Sequence, residues 1–457
     1  MFEGHWQGFT DYHGERIRIE WTFAAPLDGV MQGRMDLPDL AALGLPIEGR
    51  LSAGGAVLEG QSTIGAFAAR VNADGQLLVT VTGPRGRTAV LAFEQSHPGF
   101  ASFRVARLDT AGAHTPAYAC VPPAAYDDGW RVSTMTDEGI DARALDSLLG
   151  ELAQGTYGRV EALVVARHGS LVVEEYFFGV HRNYLHPIQS VTKSITSLLL
   201  GRALPRNGRL DRPVYEFFPR HGDTRWCRER YDISLWHLLT MSAAIAWDEW
   251  SVPYTDPNNS NTAMNASDDW VRFVLDRPRA GVPGVASRYT SGLSILIGAV
   301  LAEVTGTPVD AFARDTLFAG LGIRNFRWVK SASGTTHTGG GLSLTARDLA
   351  RVGQLVLDDG RWNGQTLLDA AWVRACTEHQ LPLAEPDPRI TGYGYQWWRM
   401  HHGEVACVAG RGYGGQFVGV YPERDLVLVL NASEYGATPD MRFDVDPIFD
   451  TLVEACR

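Results

Sequence analysis

Lysine is nearly absent from this sequence. Of 41 basic residues only Lys193 and Lys330 are lysines, and arginine fills every other basic position. A guanidinium stays protonated at any working pH, whereas a buried ammonium can lose its proton near neutrality. Base chemistry by a cationic side chain is therefore confined to two positions. Lys330, in Trp328-Val329-Lys330-Ser331, has no motif around it and reads as a surface residue. Cysteine is also scarce. Cys120, Cys227, Cys376, Cys407 and Cys456 are odd in number and show no C-x-x-C spacing, which argues against a disulfide framework or a thiolate zinc site. Positive charge is in deficit, with a formal net charge of -11, which argues against general nucleic-acid binding. No apolar run approaches bilayer length, and the first residues lack the basic and apolar stretches of a leader. A soluble, cytoplasmic protein with no membrane partner is expected. His337, His401 and His402 lack metal-ligand spacing. No HExxH, GxSxG, Walker A or dinucleotide fingerprint occurs, so neither a metal nor a cofactor is expected.

What is present falls into two textures. A chain of 457 residues is too long for one ordinary core, and two domains are expected. Residues 1–108 read as all-β. Ile17, Ile19, Trp21 and Phe23 alternate along one strand, and further runs lie at Pro46–Ser52, Ala66–Val71, Gln76–Val81 and Thr88–Phe93. Turn signals at Ala53-Gly54-Gly55, Asp74-Gly75 and Gly83-Pro84-Arg85-Gly86 separate them, as in a small barrel or sandwich. Residues 109–125, rich in Ala and Pro, read as a linker. Residues 126–457 read as α+β. A hairpin is expected from Val160–Val165 and Ser170–Phe177 about a turn at His168-Gly169. Helices are expected at Asp141–Leu152, Val191–Leu204, Ser234–Met241, Ser267–Leu275, Ser291–Thr305 and Thr345–Asp358. Strands return at Gly394–Met400, Gln416–Tyr421 and Asp425–Asn431. Strands at both ends with helices between fit one antiparallel sheet flanked by helices.

Three short motifs carry chemistry. In Ser190-Val191-Thr192-Lys193 the spacing puts hydroxyl and amine on one face of a helix whose following run, Ile195–Leu200, is apolar. Burial lowers a lysine pKa, and a neutral amine can take the serine proton. The Ser190 N–H, at a helix start, suits a developing oxyanion. By itself S-x-x-K equally fits a helix-capping serine followed by an incidental lysine. Tyr289, in Ser287-Arg288-Tyr289-Thr290-Ser291-Gly292 ahead of a helix, can pass a proton to a leaving group, or can be a core tyrosine at a helix entry. Gly410-Arg411-Gly412-Tyr413-Gly414-Gly415-Gln416 opens an apolar strand and allows close backbone approach to a ligand, as would any tight glycine turn.

In this order the motifs resemble the serine β-lactamases and penicillin-binding proteins. They are closer to the esterase branch with a class C β-lactamase-like fold, which includes 6-aminohexanoate-dimer hydrolases. The stretches at Gln189–Ser194, His237–Ser242, Arg288–Gly292, Gly340–Ala350, Tyr393–Trp398 and Gly412–Gln416 carry the resemblance, which spans roughly Tyr126 to the C-terminus. It implies a β-lactamase/transpeptidase-like fold with an all-helical lobe beside the sheet. The β region more loosely resembles a lipocalin-like barrel. It also implies an acyl-enzyme on Ser190, with Lys193 and Tyr289 moving protons and the Ser190 and Tyr413 backbone N–H groups as oxyanion hole. Substrate-side positions are then Glu249, Tyr254, Asp256, Ser291, Arg411, Gly412 and Gly414. Acidic residues around 248–256 could hold a substrate amine, although a solvated loop fits acids in general better. Two departures stand out. Gly410-Arg411-Gly412 replaces the K-T/S-G of β-lactamases, and Ser291 replaces the Asn of Y-x-N. Both point away from strong β-lactamase activity.

The expected activity is hydrolysis of a small ester, amide or peptide through an acyl-enzyme. Two alternatives share the serine. One is an acyltransferase or peptide-cyclising thioesterase, and the other a non-catalytic penicillin-binding-like sensor. Pocket walls are expected from loops near 245–265 and 375–390.

Overall fold

The structure, a computed structural model, describes residues 2–96 and 120–456 except 13–14, 24–25, 27–28, 38–41, 53, 63–64, 83–87, 178–179, 181, 205–207, 255, 386 and 434–445. Most of the expected linker, part of the turn at Ala53-Gly54-Gly55, and the Gly83-Pro84-Arg85-Gly86 turn lie outside the described residues. Cys120 to Ala125, which end the linker, have no regular secondary structure.

The N-terminal strands are β1 (Gly4–Tyr12), β2 (Glu15–Phe23), β3 (Val30–Leu37), β4 (Ala42–Leu51), β5 (Leu58–Ser62), β6 (Gly65–Val71), β7 (Leu77–Thr82) and β8 (Thr88–Ser96). Each pairs antiparallel with the next, and β8 returns to β1, closing a barrel. Closure leaves no free sheet edge. Side chains fill the interior. Trp21 is fully buried with the rings of Phe67, Phe93 and Phe23 at 4.8, 5.6 and 5.7 Å. Sequence alternation reveals β2, β4, β6, β7 and β8 but not β1, β3 and β5. Glycines at positions 4, 8, 33 and 60 dilute the apolar alternation in those three strands.

The rest of the chain builds a mixed domain. Its strands are β9 (Arg131–Val132), β10 (Val160–Arg167), β11 (Ser170–Tyr176), β12 (His186–Pro187), β13 (Arg327–Trp328), β14 (Leu342–Leu344), β15 (Arg361–Trp362), β16 (Gln365–Thr366), β17 (Ile390–Tyr393), β18 (Trp398–His402), β19 (Val405–Gly412), β20 (Gln416–Tyr421) and β21 (Leu426–Ala432). The main sheet runs β17-β18-β19-β20-β21-β10-β11-β9 and is antiparallel except where β9 joins β11. His168 and Gly169 make the β10–β11 turn with positive φ, the geometry a tight hairpin requires. The helices are α1 (Ala142–Gln154), α2 (Val191–Ala203), α3 (Arg225–Arg228), α4 (Leu235–Leu239), α5 (Ser260–Asn265), α6 (Trp270–Leu275), α7 (Ser291–Thr305), α8 (Val309–Ala313), α9 (Ala319–Leu321), α10 (Ala346–Leu357), α11 (Ala370–Thr377) and α12 (Asp446–Ala455).

The central strand β10 is buried along its whole length. Its alternation divides two cores. Ala162, Val164 and Ala166 face the layer of α2, α7 and α10, while Leu163 and Val165 face α1 and α12. A strand covered on both faces reads as a continuous apolar run, as residues 162–166 do between Glu161 and Arg167. Helices α2 and α7 pack together and are buried almost all round, which places them inside the domain rather than on its surface. Among the described residues no single helix is long and apolar enough to cross a membrane. The expected 394–400 strand instead begins only at Trp398, and residues 394–397 lie outside any strand. β17 ends at Tyr393, β18 starts at Trp398, and Gln396 between them has φ +65°. None of the five cysteines forms a disulfide.

Helix α10 lies directly on β20 and β21, and Gly353 is the residue that permits it. A methyl group there would stand 2.5 Å from Val427 Cγ1 and 3.0 Å from Val418 Cγ2. We predict that Gly353→Ala destabilises the domain by about 1–3 kcal/mol through overpacking. The urea unfolding midpoint checks this, and an unchanged midpoint would refute the close packing.

Candidate active site

The turn ahead of α2 is held in an uncommon conformation. Gln189 has φ +49°, a region costly for a non-glycine residue, and Ser190 then enters the helix at φ -66°, ψ -8°. Ser190 sits at the N-cap, yet its side chain makes no capping bond. Lys193 Nζ, one helical turn on, donates instead to Ser190 Oγ at 2.9 Å. The amine also donates to the Gly339 carbonyl. Thus the hydroxyl is committed to the lysine and not to the helix end. The other lysine differs in every respect. Lys330 is a third exposed and forms an ion pair with Asp310 at 2.8 Å.

Lys193 is only 1% exposed. Burial pushes its pKa down to about 8, and the Glu249 carboxylate opposes that shift. Tyr289 stands over the pair, with Nζ 4.9 Å from its ring centroid. The phenol is stacked on Trp398 (5.6 Å, 17°) and meets Trp250 edge-on at 5.4 Å. Burial raises its pKa well above the ordinary range, Glu249, Tyr393 and Tyr254 raise it further, and a hydrogen bond with Ser190 pulls it back. The phenol is therefore a neutral donor at working pH.

The glycine-rich segment forms the end of β19 and its turn into β20. Gly414 and Gly415 take positive φ there. Gly410 and Gly412 let the strand press against the Ser190 turn. A methyl group on Gly412 would lie 2.5 Å from the Ile188 carbonyl oxygen, and one on Gly410 would lie 3.0 Å from Val191 Cγ1. Ser190, Arg411, Gly412, Tyr413 and Gly414 all line one cavity of about 710 Å³, an ordinary size for a small-molecule site. Its walls carry the aromatic Trp247, Trp250, Tyr254, Tyr289, Trp398 and Tyr413, with the Tyr254 and Tyr413 rings 5.2 Å apart, and the charged Asp248, Arg288, Glu385, Asp387 and Arg411. Residues 247–254 and 383–390 supply the loops.

Three of the substrate-side candidates lie elsewhere. Glu249 is 0% exposed and does not line the cavity. Its carboxylate accepts from Trp247 Nε1 at 2.9 Å and Ser291 Oγ at 3.1 Å, so neither a solvated acid nor a direct amine ligand describes it. Ser291 is turned to Glu249 and is likewise absent from the cavity wall. Asp256 caps its own loop, accepting from the Asn258 N–H at 2.7 Å, and lies outside the wall. Asp248 is exposed and does line it, holding the loop through the Trp250 and Ser251 N–H groups. Thr255, between Tyr254 and Asp256, lies outside the described residues.

A hub that no motif marks lies behind the site. Gln396 is buried, donating to the Leu238 and Leu239 carbonyls at 3.0 Å and accepting from Ser294 Oγ at 2.6 Å. Its own carbonyl accepts from Ser194 Oγ at 2.7 Å. One residue thus ties α4 and α7 through its side chain and α2 through its backbone carbonyl. Its only trace in the sequence is its place inside Tyr393-Gly-Tyr-Gln-Trp-Trp. His337 Nε2 meets Asn265 Oδ1 at 3.1 Å, and burial and Lys193 push the imidazole down to about 4. His402 is buried against Tyr421, Asp446 and Cys407. Among the described residues no three His, Cys, Asp or Glu side chains are grouped to hold a metal ion.

Residues 146–452 match the family described as Beta-lactamase. The 6-aminohexanoate-dimer hydrolase of Paenarthrobacter ureafaciens is 28% identical over 294 residues, which cover 60% of this chain and 72% of that protein. Two solved structures share the fold. EstCE1, described as a hydrolase with promiscuous acyltransferase activity, superposes with a TM-score of 0.56 at 15% identity, over 71% of this chain and 100% of that one. The D-amino acid amidase of Ochrobactrum anthropi SV3, bound to D-phenylalanine, gives 0.55 at 17% identity, over 68% and 98%.

The contact between β19 and the Ser190 turn yields a test. Gly412→Ala puts a methyl group against a backbone carbonyl that cannot swing away. We predict a loss of at least about 10²-fold in kcat/KM toward an activated ester, because a small misplacement of reacting groups costs that much. Circular dichroism should show the fold retained. Full activity in this variant would mean that strand and serine turn need not touch.

Proposed function

Because the chain belongs to the Beta-lactamase family, we propose that it is a serine hydrolase that cleaves small esters or amides through an acyl-enzyme on Ser190. The observation that carries this is the 2.9 Å hydrogen bond between Ser190 Oγ and an amine that water barely reaches. In its neutral form Lys193 takes the Ser190 proton as Oγ attacks the substrate carbonyl carbon. The carbonyl oxygen becomes an oxyanion facing the N–H groups of Ser190 and Tyr413. As the tetrahedral intermediate collapses, the bond to the leaving oxygen or nitrogen breaks. The Tyr289 phenol supplies the proton that leaving group needs, and the proton on Lys193 replaces it. Water then attacks the acyl carbon, gives a proton back through the same pair, and frees the acid and Ser190.

The aromatic walls suit substrates with apolar or aromatic groups beside the scissile carbonyl. The similarity to a 6-aminohexanoate-dimer hydrolase, and a fold shared with an amidase, support amides as well as esters. A β-lactam carboxylate would find Arg411 on the cavity wall but no lysine, since Lys193 is already engaged and Lys330 is paired to Asp310. Weak or no β-lactamase activity follows. An alcohol or amine acceptor uses the same acyl-enzyme, and analysis of products with and without such an acceptor separates transfer from hydrolysis.

A fluorophosphonate probe should label the wild-type protein and not Ser190→Ala, and that variant should not hydrolyse p-nitrophenyl esters. Lys193→Ala and Tyr289→Phe should each lose about 10²–10⁴-fold in kcat/KM. Unchanged turnover in either variant would dismiss the mechanism, and stoichiometric labelling without turnover across an ester and amide panel would favour a sensor.

The pH dependence has a definite sign. The active form is neutral Lys193, and its pKa is about 8. Below that value kcat/KM should rise about tenfold per pH unit, and above it should level off. A flat profile from pH 6 to 9 would show that Lys193 is not the base.

A further inference from the structure

We propose that Glu249 is a positioning residue, a buried carboxylate behind the cavity wall that fixes Tyr289 through the first turn of α7 and sets the charge balance between Tyr289 and Lys193. This rests on the acyl-enzyme reading above.

A carboxylate without exposure is costly unless its oxygens are satisfied. Here three donors meet it. They are Trp247 Nε1 at 2.9 Å, Ser291 Oγ at 3.1 Å and the Ser291 N–H at 3.4 Å. Ser291 is the first residue of α7 and lies two residues after Tyr289. The carboxylate therefore meets the start of the helix that begins two residues after the phenol, where the free N–H groups and the positive end of the helix favour a negative charge. The loop is also built to hold it. Fully buried Asn259 donates to the Glu249 carbonyl at 3.3 Å and the Val252 carbonyl at 3.0 Å, while its Oδ1 caps α5.

The charge acts on the groups that move protons. Glu249 raises the pKa of Lys193 against burial and raises those of Tyr289, Tyr254 and Tyr393. Burial raises the pKa of Glu249 itself above the ordinary carboxylate range, and Lys193, Trp247 and Ser291 pull it back only in part. The other titratable group facing Lys193 is His337, which burial keeps neutral above about pH 4. Tyr413 faces the cluster through Tyr254. The consequence is a division of labour. The phenol keeps its proton for the leaving group, and the lysine is the group that changes charge. A substrate amine would not meet this carboxylate, because it is absent from the cavity wall.

Glu249→Gln keeps the shape and removes the charge. The expected result is a rising limb of kcat/KM displaced to lower pH by about one unit, since Lys193 loses its stabilising partner. Labelling of Ser190 by a fluorophosphonate at pH 6 should become faster. KM for a neutral p-nitrophenyl ester should change less than about twofold, the pattern of a group that does not bind substrate. Glu249→Asp should restore the wild-type midpoint. An unmoved midpoint, or a defect confined to KM for amine-bearing substrates, would overturn the proposal. Ser291→Ala removes the shorter, hydroxyl contact to the helix but leaves the charge, so it should lower kcat without moving the midpoint. An unaltered kcat there would overturn the positioning role, and this arm decides the matter if circular dichroism shows Glu249→Gln unfolded. Ser190→Ala is run in parallel. If it is inactive while Glu249→Gln has a wild-type midpoint, only the role of Glu249 fails. If it retains turnover, both readings fall.

Discussion

The burial of one ammonium group against one hydroxyl organises this domain. Lys193 reaches Ser190 Oγ only because both lie on the first turn of α2, and water is kept from it because α2 is packed on every side. Around it the fold supplies a carbonyl from Gly339, a tyrosine face from Tyr289 and, at a remove, the Glu249 carboxylate. The carbonyl and the tyrosine face replace water only in part, so burial brings the pKa near neutrality against the Glu249 charge, which raises it. A lysine left in solvent, as Lys330 partly is, has no such property.

Packing that tight constrains the backbone nearby. The strand carrying Arg411 must run against the Ser190 turn, and only residues without a side chain at 410 and 412 allow it. The turn in its turn carries Gln189 at positive φ, a strained conformation that the surrounding contacts maintain. Gln396 plays a similar part from behind by tying three helices with four hydrogen bonds. At the far side of α10, buried Arg347 and Arg351 bind Asp128 at 2.7 and 3.0 Å, anchoring the segment where the chain enters this domain. The barrel of residues 4–96 has its own apolar interior, centred on Trp21, and owes nothing to this network for its core.

The proposed chemistry follows from a division between what is exposed and what is buried. Ser190 and the turn at Tyr413 open on a cavity with aromatic walls, while the lysine and glutamate that set their reactivity stand behind it. Arg411 lines that cavity one residue beyond Gly410, which stands where K-T/S-G would place its lysine.

Local physics made part of this legible in the amino-acid sequence alone. S-x-x-K spacing puts two side chains on one helical face whatever surrounds them, and period-two alternation marks a strand such as β2. Near absence of lysine singled out Lys193, and Tyr289 and the 410–416 glycines stood out by their order along the chain. Other features arise from contacts between residues far apart in sequence, which periodicity and spacing do not encode. That the Ser190 hydroxyl serves Lys193 rather than the helix end was decided by tertiary packing. So were the turning of Glu249 inward to Ser291, the 202-residue reach from Ser194 to Gln396, and the exclusion of Asp256 and Ser291 from the cavity wall. An acidic residue in a polar loop reads as solvated, and only the arrival of a helix N-terminus and an indole N–H makes its burial affordable.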